Sequence, residues 1–402
     1  MKTKSIFIGC LLLSTTLLSL STFAQNDTVP EPANKPNGGA TKFLLAGKAG
    51  ALWTANTPVN STSAPNSFNP ISLMLMPLVK INDRLFLDAQ IEVTANTGLG
   101  GGGTSLTLNE LIMYYRLCKY GSLFFGNFSP KYGLFMGVLD DFTNRYGSMP
   151  IGMGHGPQTQ TGVGIQGGIQ TGLSKINYQL YVANGPQLVN DSNGKNPGAG
   201  SLIYSNYTDN NKNKCIGGSL GWLPFSNSSL QLDLSAQYTP STGDKVTAWE
   251  NVNTFSWAAS LNYYKVFNPI MLRVMAEYNA TQVSNYNYFY DLHAQLPTAT
   301  NLSYQNQWNG WYAGATVRAS GSSSDLWRNL ELGVRLSQFT APLGAPWVGT
   351  ASGQTLKQQN QTTVCLTYWF TWKHPLNVVW DQFSGGNVPL TNMYTVRSIF
   401  FF

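Results

Sequence analysis

Apolar and polar residues alternate with a period of two along most of the chain. Residues 85–95 show the pattern most clearly, since every odd-numbered residue is apolar while the even-numbered ones include Asp88, Gln90 and Glu92. Further stretches repeat it, at 230–238, 255–263, 270–278, 330–336 and 364–372. An amphipathic helix would instead repeat its apolar positions about every 3.6 residues. The alternation therefore predicts β-strands with one apolar and one polar face.

About sixteen such segments follow one another, and the connections between them alternate in length. The predicted short turns lie at 80–84, 118–121, 171–174, 224–228, 266–269, 320–325 and 374–377. The predicted long loops lie at 55–67, 96–105, 130–160, 184–213, 240–253, 280–306, 338–360 and 383–393. Such alternation is typical of outer-membrane barrels. We therefore expect an all-β fold, a transmembrane antiparallel β-barrel of about 16 strands with short periplasmic turns and long extracellular loops.

The composition fits a barrel wall that stands between lipid and water. Charged residues make up 10% of the 402 residues, against roughly 25% in ordinary soluble domains, and aromatic residues make up 13%. The mean hydropathy of −0.13 is too low for a bundle of membrane helices. Aromatic residues also cluster at predicted strand ends, as is usual where strands cross lipid headgroups; they are Trp53, Tyr114, Tyr115, Trp222, Tyr263, Tyr264, Trp311, Trp369 and Trp372. The composition disfavours a cytosolic enzyme and a helical transporter.

The N-terminus predicts export from the cytoplasm. Two lysines precede an apolar stretch, and small residues at Thr22 and Ala24 offer a cleavage site. Residues 1–24 are thus a predicted signal peptide, 25–41 a flexible periplasmic leader and 42–402 the barrel. Without the two lysines the formal net charge falls from +6 to +4 (22 basic minus 18 acidic residues). We expect the protein in the cell outer membrane of a Gram-negative bacterium.

The chain ends in Phe402 after a last alternating segment. A C-terminal Phe resembles the terminal signal that the outer-membrane assembly machinery recognises, so we expect Phe402 to act as an assembly signal. Residues 123–133, LFFGNFSPKYG, resemble the G-x-F-x-P-x-x-G strand-to-loop stretch of porins in the phosphate-selective O/P-like group. The resemblance implies a trimeric, sixteen-stranded diffusion channel. Phosphate specificity in that group depends on a lysine-rich constriction, which this sequence does not show.

Charged residues fall on the polar face of the predicted strands. Twelve follow this parity: Lys48, Asp88, Glu92, Glu110, Arg116, Asp233, Arg273, Glu277, Arg318, Glu331, Arg335 and Arg397. An Arg or Lys that faced the lipid midplane would cost about 2–4 kcal/mol, and an unpaired charge in a packed interior is also unfavourable. A barrel of about sixteen strands is wide enough to hold water. We therefore expect a water-filled lumen.

The loop at 130–160 is unusually apolar over residues 133–142. We expect it to fold into the lumen and narrow it, with Asp140 and Asp141 as an acidic edge. The basic residues predicted across the pore are Lys48, Arg397 and, as a weaker candidate, Arg335. Opposed charges in a narrow passage would order water and screen solutes. The alternative is that the two aspartates only cap a short helix.

Small residues on the lipid-facing side of the first strand predict an oligomer contact. Such residues let a neighbouring backbone approach closely, and the family resemblance implies a trimer. We expect a homotrimer with Gly47, Ala49 and Ala51 at or near the contact.

Little in the sequence indicates catalysis. A hydrolytic site would need a nucleophile, a His base and an acid near one rim, whereas the three histidines lie apart, in predicted loops and a turn. The three widely spaced cysteines that follow the signal peptide give no metal-ligand spacing. No run of Lys or Arg marks a nucleic-acid face. We expect no catalytic residue, no metal, no cofactor and no nucleic-acid partner.

The leading expectation is an outer-membrane porin, a passive diffusion channel for small hydrophilic solutes or ions with at most a mild preference for anions. One alternative is a substrate-specific channel for phosphate or a saccharide, with the Asn- and Tyr-rich residues 285–290 as a candidate sugar contact. The other is a surface-binding or adhesion barrel whose lumen is filled or capped. The expected partners are outer-membrane lipid, small solutes, the assembly machinery and two further copies of the chain.

Overall fold

The computed structural model describes residues 41–57, 66–96, 103–134, 144–188, 202–204, 213–242, 252–290, 300–340, 358–385 and 390–402. The predicted signal peptide, nearly all of the predicted leader, and both Asp140 and Asp141 lie outside the described residues. No helix in the described part of the chain is long and apolar enough to cross a lipid bilayer.

Sixteen antiparallel strands among the described residues form a closed barrel, as predicted. Each strand pairs with the next one around the barrel, and the last strand pairs with the first. The barrel strands are β1 (Lys42–Thr57), β2 (Asn66–Lys80), β3 (Leu85–Asn96), β4 (Gly103–Cys118), β5 (Gly121–Phe128), β6 (Gln160–Thr171), β7 (Ser174–Ala183), β10 (Cys215–Leu223), β11 (Leu230–Thr239), β12 (Thr254–Phe267), β13 (Ile270–Tyr290), β14 (Thr300–Arg318), β15 (Leu330–Thr340), β16 (Gln358–Thr371), β17 (His374–Ser384) and β18 (Thr391–Phe401). β8 (Gln187–Leu188) and β9 (Leu202–Ile203) form a separate two-stranded sheet.

The connections between barrel strands alternate in length. The short turns lie at 81–84, 119–120, 172–173, 224–229, 268–269, 319–329 and 372–373, and the sixth contains helix α1 (Asp325–Asn329). The long connections lie at 58–65, 97–102, 129–159, 184–214, 240–253, 291–299, 341–357 and 385–390. Consecutive antiparallel strands therefore bring all the short turns to one rim of the barrel and all the long connections to the other.

Two predicted connections differ from the structure. The turn expected at 374–377 lies at 372–373, because Pro375 belongs to β17, beside a register shift in β16 where a missing N–H is tolerated. Most of the loop expected at 280–306 is strand, since β13 runs to Tyr290 and β14 starts at Thr300. β12 pairs with β13 only as far as Val283. Beyond Ser284, whose N–H donates to the Asn253 carbonyl oxygen, no described strand pairs with the hairpin on that side, and its sequence there loses the apolar alternation.

The two faces of the barrel wall differ in polarity. Residues directly opposite each other on paired strands share a face. Exposed apolar side chains lie on the outer face: Leu180, Leu220, Leu234, Leu332, Leu366 and Phe400. Buried polar side chains lie on the inner face: Gln179, Ser256, Glu277, Thr363 and Asn377. An apolar exterior around a polar interior is the arrangement of a barrel that crosses lipid.

Aromatic rings on the inner face lie across glycines of the next strand. Phe124 of β5 is opposite Gly164 of β6, where a Cβ atom would overlap with the ring. Tyr181 of β7 covers Gly217 of β10 in the same way. Both rings belong to one buried cluster. The glycines make room for rings within the wall, and the rings cover the backbone that glycine leaves bare.

The barrel closes where the last strand meets the first. The main chains of Gly47 and Phe402 exchange two hydrogen bonds, of 3.1 and 3.0 Å. The Phe402 ring covers Gly47, and a Cβ atom at this glycine would lie 2.5 Å from the ring and 2.5 Å from the Met74 carbonyl oxygen. The C-terminal residue thus covers the junction between β1 and β18, which we call the seam. Only glycine fits beneath the Phe402 ring at this position.

Gly47→Val should weaken this seam, because the new side chain must displace the Phe402 ring or the β2 backbone. Overpacking of this kind costs about 1–3 kcal/mol. The measurement is the urea midpoint of unfolding of the purified protein in detergent, which should fall. Ala49→Val, on the same face of β1, is the control and should leave the midpoint unchanged. Equal midpoints for the two variants would contradict the proposed seam.

Candidate functional site

The barrel interior carries most of the charged side chains of the strands. The strand register places all twelve predicted inward charges on the inner face. Seven of them are partly exposed there: Asp88, Glu92, Glu110, Arg116, Asp233, Arg273 and Arg318. The other five are at most 5% exposed: Lys48, Glu277, Glu331, Arg335 and Arg397. Four of these five contact the connection between β5 and β6.

This connection, residues 129–159, is called the inward loop because its described parts, 129–134 and 144–159, contact the inner face of the barrel. Gly126 (φ 127°) and Gly133 (φ 62°) adopt backbone conformations that favour glycine. A Cβ atom would overlap with the Leu111 carbonyl oxygen at the first position and with the Glu277 carboxylate at the second. Both belong to the G-x-F-x-P-x-x-G stretch. That stretch therefore leads the chain from the wall into the interior.

The first leg of the inward loop crosses to strands β12 and β13. The Tyr132 hydroxyl donates to the Trp257 carbonyl oxygen at 2.8 Å. The Leu134 N–H donates to Glu277 Oε2, also at 2.8 Å. Tyr132 and Leu134 are almost fully buried. Glu277 thus serves as an acceptor for the loop main chain, deep in the interior.

The second leg lies against β15–β17 through a network centred on Arg335. This guanidinium donates to the carbonyl oxygen of Ser148 at 2.7 Å, and to the hydroxyls of Ser148 and Thr363 at 3.0 and 2.9 Å. Both hydroxyls donate in turn to Asp381 Oδ1, at 3.0 and 2.5 Å. Gln361 donates to the same oxygen at 2.9 Å. Two buried opposite charges are therefore joined through two hydroxyls, one of which belongs to the loop.

Tyr146 fills a hollow in the wall that two glycines create. A Cβ atom at Gly314 would lie 2.5 Å from the Tyr146 hydroxyl oxygen, and one at Gly333 would lie 3.2 Å from its ring. The Arg335 guanidinium lies 5.3 Å from the centre of the same ring. The Tyr146 ring therefore fits the loop to the wall by shape.

Arg145 and Asn144 hold the loop at two further places. Arg145 binds Glu331 at 3.3 Å and lies 4.4 Å from the centre of the Trp369 ring. The Trp369 indole donates to the same Glu331 oxygen at 3.0 Å. The Asn144 carbonyl oxygen accepts a hydrogen bond from Arg397 at 3.4 Å. The second leg is thus anchored to strands β15 to β18.

Other long connections pack above the inward loop on the same side of the barrel. Ile151 of the loop packs on a buried apolar cluster formed by Leu188, Val252, Val283, Trp308 and Phe339. The first two members come from the connections that follow β7 and β11. The interior beside strands β13–β15 is therefore filled at this level by packed side chains.

The inner faces of the strands differ in what remains exposed. On β15, β16 and β17 every inward residue within 331–339, 361–369 and 375–381 is buried. On β3 every inward residue from 86 to 94 is partly exposed. The inward loop is anchored on the β12–β18 side, and the inner face is most continuously exposed along β3.

Acidic strands and arginine strands stand opposite each other. In the ring of sixteen, β3 and β13 are eight strands apart, and so are β4 and β14. Asp88 and Glu92 lie on β3 and Glu110 on β4, while Arg273 lies on β13 and Arg318 on β14. All five are partly exposed on the inner face. Three acids and one base, Arg116, are therefore partly exposed on β3 and β4, across the diameter from two partly exposed arginines.

The inward loop adds Lys131 to the charges that remain partly exposed. The main-chain N–H of Lys131 donates to Gln179 Oε1 at 2.8 Å. Desolvation inside the barrel lowers the pKa of the Lys131 ammonium, and the charge of Asp233 acts in the opposite direction. This lysine is a further candidate for contact with solutes.

The predicted constriction residues are found in different surroundings. Arg335 and Arg397 hold the inward loop through its main-chain oxygens, and Lys48 is 3% exposed on the inner face. These three side chains are therefore buried and do not line open space. Asp140 and Asp141 lie outside the described residues.

Part of the predicted oligomer contact is covered within a single copy of the chain. Gly47 lies under the Phe402 ring, whereas Ala49 is partly exposed and Ala51 exposed on the outer face. Phe402 itself is 40% exposed. The small size of Gly47 thus has a reason inside one copy of the chain.

Sequence reasoning missed the side chains that fix the inward loop, above all Tyr146, Ser148 and Asp381. The first two lie in a long connection, where no periodic pattern indicates a direction. Asp381 did carry a signal, because it follows the inward parity of Asn377 and Val379 on β17.

The two histidines that the structure describes lie apart. His155 stacks on Phe339, with ring centres 4.6 Å apart, and His374 starts β17 rather than lying in a turn, with its Nε2 3.1 Å from the Ser398 hydroxyl. His293 lies outside the described residues. In the described ranges no three His, Cys, Asp or Glu residues are placed to hold a metal ion.

Asp381→Asn should loosen the inward loop, because it leaves the buried Arg335 charge without its counter-charge. Removal of one partner from a buried charge pair costs about 3–5 kcal/mol. The free energy of unfolding in detergent should fall by about this amount, and protease should cut residues 144–159 faster. Asp83→Asn, on an exposed turn, is the control. A loop as resistant as that of the unchanged protein would contradict the anchoring role.

Comparison with solved structures shows the same fold. OmpF of Salmonella typhi, in complex with daunomycin, is 13% identical, with a TM-score of 0.58 over 90% of this chain and 98% of that chain. An anion-selective porin from Comamonas acidovorans is 10% identical, with a TM-score of 0.54 over 90% and 100%. The outer membrane channel DcaP of Acinetobacter baumannii is 12% identical, with a TM-score of 0.53 over 92% and 100%.

No protein-family model and no curated protein matches the sequence. The structural likenesses give no separate support for the phosphate-selective group. Together with the closed ring of sixteen strands, these likenesses show the fold. The chain has the sixteen-stranded barrel fold of Gram-negative outer-membrane porins.

Proposed function

We propose that the protein is a porin, a passive diffusion channel for small hydrophilic solutes across the outer membrane. The observation that carries the proposal is the partly exposed charged wall of β3 and β4, which stands beside an inward loop anchored to the opposite side of a closed sixteen-stranded barrel. Charged side chains inside an apolar wall are stable when water reaches them. A ring of this size leaves room for water.

The passage runs between the β3–β4 wall and the inward loop. Asp88, Glu92 and Glu110 line one side, and Arg273 and Arg318 stand across the diameter. Opposed charges set up a field across the passage that orients water and polar solutes. We place Asp140 and Asp141 at the narrowest part, because they belong to the segment between the two anchored legs of the loop.

The preference among ions is mildly anionic in this proposal. Among the described residues, the partly exposed bases of the interior include Arg116, Lys131, Arg145, Lys175, Arg273 and Arg318, and the partly exposed acids are Asp88, Glu92, Glu110 and Asp233. This small excess of bases favours anions only slightly, and the net charge of +4 after removal of the signal peptide has the same sign. Phosphate or a saccharide as a dedicated substrate is the narrower alternative.

Three copies form the working assembly in this proposal, in contact through the outer face of β1. Ala49 and Ala51 offer the small surface, while Gly47 is already covered by Phe402. The signal peptide at 1–24, the leader at 25–41 and the terminal Phe402 support export and assembly in the outer membrane.

The direct test records current through a planar bilayer that contains the purified protein. Steady steps that appear in threes at high salt are expected, because each copy of a trimer opens a passage of its own. A silent bilayer with correctly inserted protein would contradict the proposal and favour a surface-binding barrel. Saturation of the current by phosphate or by a sugar would favour the substrate-specific alternative.

Charge-removing variants on the two opposed walls should shift ion selectivity in opposite directions. Arg273→Gln should move the reversal potential in a salt gradient toward cations, and Glu92→Gln should move it toward anions. Shifts of a few-fold in the permeability ratio are expected for one charge in a partly solvated passage. Asp325→Asn, outside the passage, is the control. Reversal potentials that do not move in either variant would exclude these walls from the passage.

Ala51→Trp should disrupt the proposed contact between copies, because a large ring replaces a small residue on the outer face of β1. Native mass spectrometry in detergent should then find monomers in place of trimers. Leu234→Trp, on an exposed outward position of β11, is the control and should leave the trimer intact. A trimer that survives Ala51→Trp would count against this contact.

A further inference from the structure

We infer that the barrel rim formed by the short turns binds the phosphate headgroups of anionic phospholipids. This rim, called the short-turn rim, consists of the seven short turns and the strand ends beside them. The inference rests on the proposed membrane location. It does not depend on conduction through the barrel, so the two can be tested separately.

At three places on the short-turn rim, in a turn or at the strand end beside it, a lysine lies next to an exposed aromatic ring. The pairs, with the distance from the lysine nitrogen to the ring centre, are Lys119–Tyr120 at 4.7 Å, Lys265–Phe267 at 4.9 Å and Lys373–Trp372 at 5.1 Å. The rings are 45%, 46% and 47% exposed. The pairs belong to the turns after β4, β12 and β16, so they lie at separate places around the rim.

Each pair combines the two groups that favour the headgroup level of a bilayer. Aromatic rings prefer this level, where one side meets acyl chains and the other meets water. A lysine stem can lie along an apolar surface while its ammonium group reaches a phosphate. Lys265 and Phe267 share the outer face of β12, opposite Leu272 and Ile270. Their ring and ammonium group are therefore directed at lipid rather than at the passage.

The charge at the short-turn rim favours an anionic ligand over a neutral one. The two acids of the short turns are each paired within their own turn, Asp83 with Lys80 at 2.5 Å and Asp325 with Arg328. The three lysines of the pairs have no acidic partner among the described residues. Phosphate groups that carry a net negative charge would neutralise them, whereas a zwitterionic headgroup brings its own cation.

The long connections show no such excess of basic residues. Their sequence contains seven acidic residues, at 140, 141, 191, 209, 244, 250 and 291, and seven basic ones, at 131, 145, 195, 212, 214, 245 and 357. The short turns themselves contain four basic residues and two acidic ones. The basic excess is thus concentrated at one rim, which supports a ligand on that side of the membrane.

The experiment compares lipid binding by native mass spectrometry of the purified full chain in a nonionic detergent. Phosphatidylglycerol, which is anionic, and phosphatidylcholine, which is zwitterionic, are titrated with the same acyl chains. Each basic residue near an anionic surface contributes about 1 kcal/mol, or roughly fivefold in affinity. The unchanged protein should therefore bind phosphatidylglycerol at least about tenfold more tightly than phosphatidylcholine.

The test variant is Lys119→Gln/Lys265→Gln/Lys373→Gln, which should bring the ratio of affinities close to one. A matched control, Lys195→Gln/Lys212→Gln/Lys357→Gln, removes the same charge from long connections and should keep the ratio. Replacement of the three rim lysines by Arg should also keep it, which separates loss of charge from loss of folding. A barrel band that shifts on heating in gels confirms that each variant is folded.

Three results would overturn the inference. They are equal affinities for the two lipids in the unchanged protein, a preference that survives the test variant, and an equal loss in the test and control variants. Sedimentation with purified peptidoglycan adds one more: binding that depends on the three lysines, without any lipid preference, would assign the rim to the acidic cell wall instead. A chain that stays dispersed without detergent would refute the membrane location itself. A silent bilayer would refute only the channel.

Discussion

The main-chain groups that the inward loop carries into the barrel need hydrogen-bond partners there, because an unpaired buried donor or acceptor costs about 1–3 kcal/mol. The wall supplies these partners as side chains. Glu277 accepts a main-chain N–H of the first leg, and Arg335 and Arg397 donate to main-chain oxygens of the second. Groups of the loop thus supply part of the hydrogen bonding of each of these buried charges. The loop and the β12–β18 wall therefore depend on each other.

This mutual dependence divides the interior. Where the loop lies against the wall, the inward residues of β15–β17 are buried and the space is packed. Where it does not, the inward residues of β3 stay partly exposed. The position of the passage thus follows from the side on which the loop is anchored. Charges play two roles in one barrel, since buried ones hold the loop and partly exposed ones face the passage.

The fold was largely predictable from the sequence. Period-two alternation placed the strands, their number and the inward face, because each residue of a strand reports its own direction. It fails where that signal is missing: the Asn- and Tyr-rich end of the β13–β14 hairpin is paired with no other described strand, and Pro375 indicates a turn although it lies in β17. The groups that each inward charge contacts were not predictable from the sequence. Parity showed that Arg335 and Arg397 point inward, but whether an inward charge meets water or a loop depends on contacts between residues more than 180 positions apart.

The division of the interior into a packed side and an open side can be measured by cysteine accessibility. The protein provides an internal reference, because Cys365 lies on the packed wall of β16 and is fully buried, as is Cys215. With the exposed Cys118 changed to Ser, Glu92→Cys adds one thiol on the open wall. A charged, membrane-impermeant methanethiosulfonate reagent should label the residue at position 92 and change the current, while Cys365 stays unlabelled. Labelling of Cys365 as fast as position 92, or no labelling at position 92, would contradict the account.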